Sequence, residues 1–310
     1  MITSENSSLL PSNTLVKPPE NYPQLVEEDL LTSFRFKLGS LPYRLMRSLF
    51  KKPLIHLAQF LMQLDEHLSR NNVQSMAKLA VDRLASGLSL QGEPSIPAQG
   101  PVLVVANHPG WIDSFVALAG ITRPDVYFLV GSHPILENLP HFKQHLIFVD
   151  PQGTTNRAAA IRQVVEHLKA GKVVVIFPKG LLEPDPALIP GARKSILDWN
   201  DSVGIFLNKV PETVLQPMLI SQMVHTRAWN HWVIKLFKEQ RRRQQLAIIL
   251  QFALSLRKKS GARWKVQPHV DFGEVLSAYD LSSTLNPREI SLNLKEQMLY
   301  LLAKVYPNQA

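Results

Sequence analysis

The sequence predicts an α/β fold: a central, largely parallel sheet flanked by helices, with N-terminal helices and a long basic helical insertion. Three observations carry that prediction. Short continuous apolar runs alternate with helical periodicities from residue 101 onward, as in strands buried on both faces. In the stretch before them, 42–90, apolar residues recur mostly at three- and four-residue steps. Late in the chain, His225 to Lys265 contains eleven Lys and Arg and one acid, a net +10 against +9 for all 310 residues.

Residues 1–25 are polar and Pro-rich and read as a flexible tail, with no apolar stretch of the secretory kind. Residues 26–90 read as an N-terminal helical, membrane-associating region. Leu45, Leu49, Leu54, Leu57, Phe60, Leu61, Leu64 and Leu68 mark one amphipathic face, and Pro53 is expected to divide it. A further helix over 73–86 presents Met76, Leu79, Ala80 and Leu84, with exits at Gly87 and Gly92. Residues 91–310 form the main domain. Its expected strands are 101–106, 126–130, 146–149, 172–177, 214–220 and 264–272. Helices are expected over 112–119, 156–170 (ending at Gly171) and 287–305.

Composition narrows the chemistry. An apolar fraction of 45% with 19% charged residues suits a chain that buries a core. The absence of cysteine excludes disulfides, thiol nucleophiles, iron–sulfur clusters and cysteine zinc sites. His141 and His145 have helical spacing but lack the Glu of a His-Glu-x-x-His zinc site, so no metal is expected. Arg241 to Arg243 sit in no recognised nucleic-acid reader, so no nucleic-acid partner is expected either.

The insertion, about 225–262, reads as one long helix or a bent pair over Trp229 to Lys259. Trp229, Trp232, Val233, Leu236 and Phe237 gather on one side. Arg241–Arg243 and Arg257–Lys259 bracket an apolar part, Leu246 to Leu256, which is too short to span a bilayer. This pattern suits a helix lying in an anionic membrane interface. It also suits an amphipathic helix packed on its own domain with a solvated basic side.

The most informative segment is Val104-Val-Ala-Asn107-His108-Pro-Gly-Trp-Ile-Asp113. A buried strand ends, a Pro-Gly turn follows and a helix begins. The reversal can return the Asp113 carboxylate to one imidazole nitrogen of His108. That would fix the tautomer and leave the other nitrogen as a general base. This is the base and its orienting partner, with no protein nucleophile required. Asp113 as a simple helix cap is the structural alternative.

Asn107-His108-x4-Asp113 after an apolar strand resembles the first block of the glycerolphosphate and lysophospholipid acyltransferases. Leu146-Ile-Phe-Val-Asp150 with Arg157 downstream resembles their second block, and Val174-Val-Ile-Phe-Pro-Lys179-Gly180 their third. Val214-Leu-Gln-Pro217-Met-Leu-Ile220 resembles the fourth, and Val266 to Glu274 the strand that follows. The resemblance implies a membrane-associated enzyme of phospholipid synthesis. It would act as a peripheral or monotopic protein on the cytoplasmic face of a membrane. It would pass an acyl group from acyl-CoA or acyl-carrier protein, a co-substrate and not a resident cofactor, to a hydroxyl of a glycerol phosphate or lysophospholipid. Carried over, His108 is the base and Asp113 its partner. Asn107, Arg157, Lys179, Gly180, Arg193 and Lys194 are the candidate acceptor-binding residues.

The sequence departs from the family in the third block. The usual Glu is Lys179, the usual Thr-Arg is Leu181-Leu182, and Glu183 stands four residues late. A proton acceptor has become a cation that can only hold an anion. The departure leaves two alternatives: acyl transfer to a non-phosphate acceptor, and a non-catalytic lipid-binding protein on an acyltransferase fold.

Overall fold

The computed structural model describes residues 17–33, 39–92, 96–150, 154–255 and 261–309. Strands are β1 (Ser89–Gln91), β2 (Val102–Ala106), β3 (Val126–Gly131), β4 (Leu146–Val149), β5 (Val173–Ile176), β6 (Val214–Ser221) and β7 (His269–Phe272). They form one sheet in the order β1-β7-β6-β2-β5-β3-β4. β7 runs antiparallel to β6, and every other pairing is parallel. The central strands β2 and β5 are buried at every position, as parallel strands covered on both faces must be.

Alternate strand residues feed two cores. Val102, Val104, Ala106, Val173, Val175, Met218 and Ile220 meet α1 (Tyr22–Ser33), α2 (Leu41–Leu68), α3 (Val73–Leu84) and α4 (Asp113–Ala119). Leu103, Val105, Val174, Ile176, Leu215 and Leu219 meet α5 (Thr154–Lys169), α6 (Ala192–Leu197), α7 (Ser202–Lys209) and α9 (Pro287–Val305). α7 and α9 touch backbone to backbone at Gly204, where a Cβ would lie 1.8 Å from the Pro287 carbonyl oxygen. The insertion supplies a third apolar cluster through α8 (Gln240–Ser255), whose Leu246, Ala247, Ile248 and Ile249 pack with Ile189, Val224, Ala228 and Ile234.

The structure corrects several expectations. The last residues of the expected tail belong to α1: Tyr22 is fully buried and its hydroxyl donates to the Ile135 carbonyl at 3.0 Å. Residues 1–16 lie outside the described residues, as do the side chains of Leu45 and Leu49. Pro53 does not divide α2. The buried face continues through it, from Tyr43 to Leu54, Leu57, Ala58, Leu64 and Leu68, and that packing outweighs one missing N–H. The short edge strand β1 escaped the sequence pattern because three residues carry no periodicity. The expected strand over 264–272 is reduced to β7, preceded by a tight turn over Gly261–Trp264.

The insertion is not one helix. It breaks into single turns at Thr226–Trp229 and Trp232–Lys235 before α8 begins. Arg243 folds the segment back. Its guanidinium sits 3.9 Å from the centre of the Trp229 ring and donates to the Trp229 carbonyl at 3.1 Å. In a straight helix those residues would stand about 21 Å apart. α8 is packed on its own domain, and Arg257 to Lys259 lie outside the described residues. Among the described residues no helix is long and apolar enough to cross a membrane.

Candidate active site

β2 delivers the site at its carboxyl end. Asn107 continues the ladder with its side chain: Nδ2 donates to the Ile220 carbonyl at 2.8 Å, and Oδ1 accepts the Ile220 N–H at 2.7 Å. It is 2% exposed. Asn107 was expected to bind substrate; in the structure its side chain pairs with the backbone of β6. Its amide locks the β2 exit to β6 through both its donor and its acceptor side.

His108 and Asp113 meet. The Nδ1 atom lies 2.8 Å from Asp113 Oδ2, which also accepts the Gly110 N–H at 2.8 Å. A carboxylate only accepts, so the proton sits on Nδ1 and the Nε2 lone pair is available. Asp113 is fully buried, whereas the His108 side chain keeps 29% of its surface open. Phe177 stacks against the ring at 4.8 Å between centroids. Gly110 is required by close approach: a Cβ there would stand 2.8 Å from Asp113 Oδ1 and 2.9 Å from the Met223 Cβ. Burial pushes the His108 pKa down. The hydrogen bond and charge of Asp113, with Glu183 beyond, push harder in the other direction, and the pKa ends raised against an opposing Arg241.

Glu183 is the residue that sequence spacing misplaced. One oxygen accepts the His108 N–H at 3.1 Å; the other accepts the Ser195 hydroxyl at 2.7 Å and the Trp199 indole N–H at 2.9 Å. Its own N–H donates to the His108 carbonyl at 2.8 Å. Burial raises its pKa, and these donors oppose that rise. Two residues on, the buried Asp185 accepts N–H groups from Ala187, Gln222, Met223 and Val224. It ties the loop after β5 to the loop after β6. The hints in the sequence were that Glu183 follows the third block by a few residues and that it and Asp185 are two acids inside an otherwise apolar and Pro-rich stretch.

α8 closes one side. The buried Gln244 donates to the carbonyls of Pro109 at 2.9 Å and Glu183 at 2.7 Å. Arg241, one turn earlier and exposed, lies near enough for its charge to act on His108. Beside the loop an apolar cleft is lined by Trp111, Met223, Ile248, Phe252, Trp264 and Val266.

The other expected cations do not gather here. Lys179 pairs with Asp198 at 3.0 Å. Gly180 has φ +64° and its N–H closes a turn onto the Phe177 carbonyl at 2.9 Å, a turn that sets Phe177 against His108. Arg193 and Lys194 are exposed on α6, on the side away from Ser195 and Ile196, which are buried. Arg157 is exposed on α5. His141 is held by Asp65 and His145 by the Val126 carbonyl. Among the described residues no group of three potential ligands could hold a metal.

A buried strand that ends in an imidazole held by a carboxylate, on an α/β sheet, is an arrangement able to take a proton from a hydroxyl. Residues 87–198 match the family model described as Acyltransferase. Over those residues the chain carries an acyltransferase domain. No curated protein matches it. Among solved structures it is similar to the 1-acyl-sn-glycerophosphate (LPA) acyltransferase PlsC from Thermotoga maritima. The identity is 16%, the match covers 93% of this chain and 94% of that one, and the TM-score is 0.45.

Proposed function

We propose that the protein transfers an acyl group from a thioester, acyl-CoA or acyl-carrier protein, to a hydroxyl of a glycerol phosphate or lysophospholipid at a membrane surface. The observation that carries this reading is the His108–Asp113 pair, with Nδ1 held and the imidazole still partly exposed. Nε2 takes the acceptor's hydroxyl proton as its oxygen bonds to the thioester carbonyl carbon. The tetrahedral intermediate then collapses, breaking the carbon–sulfur bond. The leaving thiolate takes the proton from the imidazolium, which restores neutral His108. Asp113 stays ionised throughout and steadies the imidazolium.

Arg241 is the cation we assign to the acceptor's phosphate, because its charge already reaches His108. A second reading, acyl transfer to a non-phosphate acceptor, is favoured by one observation. Lys179 is paired with Asp198, Arg157 faces solvent on α5, and Arg193 and Lys194 face solvent on α6.

The test is thiol release from acyl-CoA and acyl-carrier protein with lysophosphatidic acid, glycerol 3-phosphate and lysophospholipids in turn. Acceptor-dependent release is expected, with a loss of about 10²–10⁴-fold in His108→Ala. Unchanged turnover in that variant would remove His108 from the mechanism. A KM rise confined to phosphate-bearing acceptors is expected in Arg241→Gln, and an unchanged KM would favour the second reading.

A further inference from the structure

Most of the insertion's apolar residues are packed inward, but one group is not. Trp232 and Leu236 are each 71% exposed, and Val233 stands exposed between them. Three cations, Arg227, Lys235 and Lys238, are exposed around them, and none pairs with a carboxylate among the described residues. Glu239 is the one acid in the segment. A soluble surface seldom displays a tryptophan and a leucine together unless something covers them.

The patch is rigidly mounted. Ala228 and Ile234, beneath it, are buried against Ile189, Val224 and Leu246. Gln240 donates to the Pro190 carbonyl at 2.7 Å, and Gln244 reaches Pro109, next to His108. The exposed group therefore sits immediately before α8, the helix that closes the catalytic loop. Cations beside an indole and an aliphatic side chain match a bilayer's anionic headgroups and the apolar layer beneath them.

We infer that residues 226–239, through Trp232, Val233 and Leu236 flanked by Arg227, Lys235 and Lys238, form the surface that seats the protein on an anionic lipid bilayer. The inference rests on the acyl-transfer reading for its purpose, which is to bring lipid to His108, but its physics is independent of catalysis. It also moves the contact away from the arginine triplet, where Arg243 is stacked on Trp229 and Arg242 lies over Phe237.

The full chain would be floated with phosphatidylcholine vesicles, with and without phosphatidylglycerol, over a salt series. Trp232→Ala/Leu236→Ala is expected to weaken partition to anionic vesicles by about tenfold or more. Lys235→Gln/Lys238→Gln is expected to weaken it about fivefold per charge and to flatten the salt dependence. Leu41→Ser, which alters an exposed leucine on α2 (81%), is expected to change nothing. Parental partition in both double variants, or loss in Leu41→Ser alone, overturns the surface. So does self-association that the Trp232/Leu236 change abolishes while partition stays constant. Thiol release from a water-soluble short-chain donor and acceptor, run in parallel, separates the two readings. Patch-dependent flotation without any turnover would sink acyl transfer and leave the surface standing. Intact turnover with patch-independent flotation would do the reverse.

Discussion

His108 is pulled two ways. Its burial favours the neutral ring that a base requires, while Asp113 and Glu183 favour the cation that forms after proton transfer. The second influence wins, so the pKa lies above the ordinary 6.5. A base works only when neutral, so turnover should rise with pH through that raised value. The acidic limb of kcat/KM should lie above pH 6.5. Asp113→Asn removes the largest raising influence. The limb should move down while turnover falls by about 10²–10⁴-fold, and a pH–rate profile of both proteins checks this. Stability follows the same sign. The imidazolium's stabilisation is fully present below pH 6.5 and is lost as pH rises through the raised pKa. His108 and Asp113 were legible in the sequence because a five-residue reversal is a local matter. Glu183 was not, because its partners Ser195 and Trp199 reach it across a fold, and its contact with His108 spans 75 residues.

Elements that carry no catalytic group set the shape of the site. Four backbone N–H groups converge on Asp185 at 2.7–3.1 Å, joining the exits of β5 and β6. Met223, held by one of them, is what Gly110 approaches. An asparagine there would keep one accepting oxygen and turn an NH₂ toward two donors. Asp185→Asn should therefore cost about 3 kcal/mol, measured by denaturant unfolding, and lower turnover without changing the position of the acidic limb. Desolvation holds this carboxyl at a pKa of about 6, above its ordinary 3.8. Its contribution to stability therefore falls as pH rises from about 4 to 6, and the substitution should remove that slope. At this scale the strands of 101–177 were legible, because continuous apolar runs leave few options for a buried parallel sheet. The insertion was not. Its apolar periodicity suits a straight helix, and only the return of Arg243 onto Trp229 shows that it doubles back.

The sequence divides the molecule into an N-terminal helical region and a main domain, but the packing joins them. A single apolar core runs from Tyr22 and Val26 on α1 through Met76 and Ala80 on α3 to Val104 and Ile220 in the sheet. Polar contacts fasten the same seam. His133 Nδ1 lies 2.5 Å from Asp29, and Tyr22 reaches the Ile135 carbonyl. Asp65 on α2 is 1% exposed and accepts the N–H groups of His141 and Phe142 at 3.0 and 2.8 Å, together with the His141 ring at 2.8 Å. Apolar periodicity showed that the helices exist. It could not show which loop they hold, because these partners lie 76 or more residues apart. Asp65→Ala leaves two buried N–H groups and an imidazole without an acceptor, a cost of about 3 kcal/mol. For a chain of this size that corresponds to a fall in Tm of about 5 °C. If the seam is one cooperative core, calorimetry should show a single transition moved down by that amount, with the acidic limb of His108 unmoved. A new early transition beside an unshifted main one would mean instead that α1 and α2 unfold by themselves. The seam would then be a docking contact between two separately stable parts.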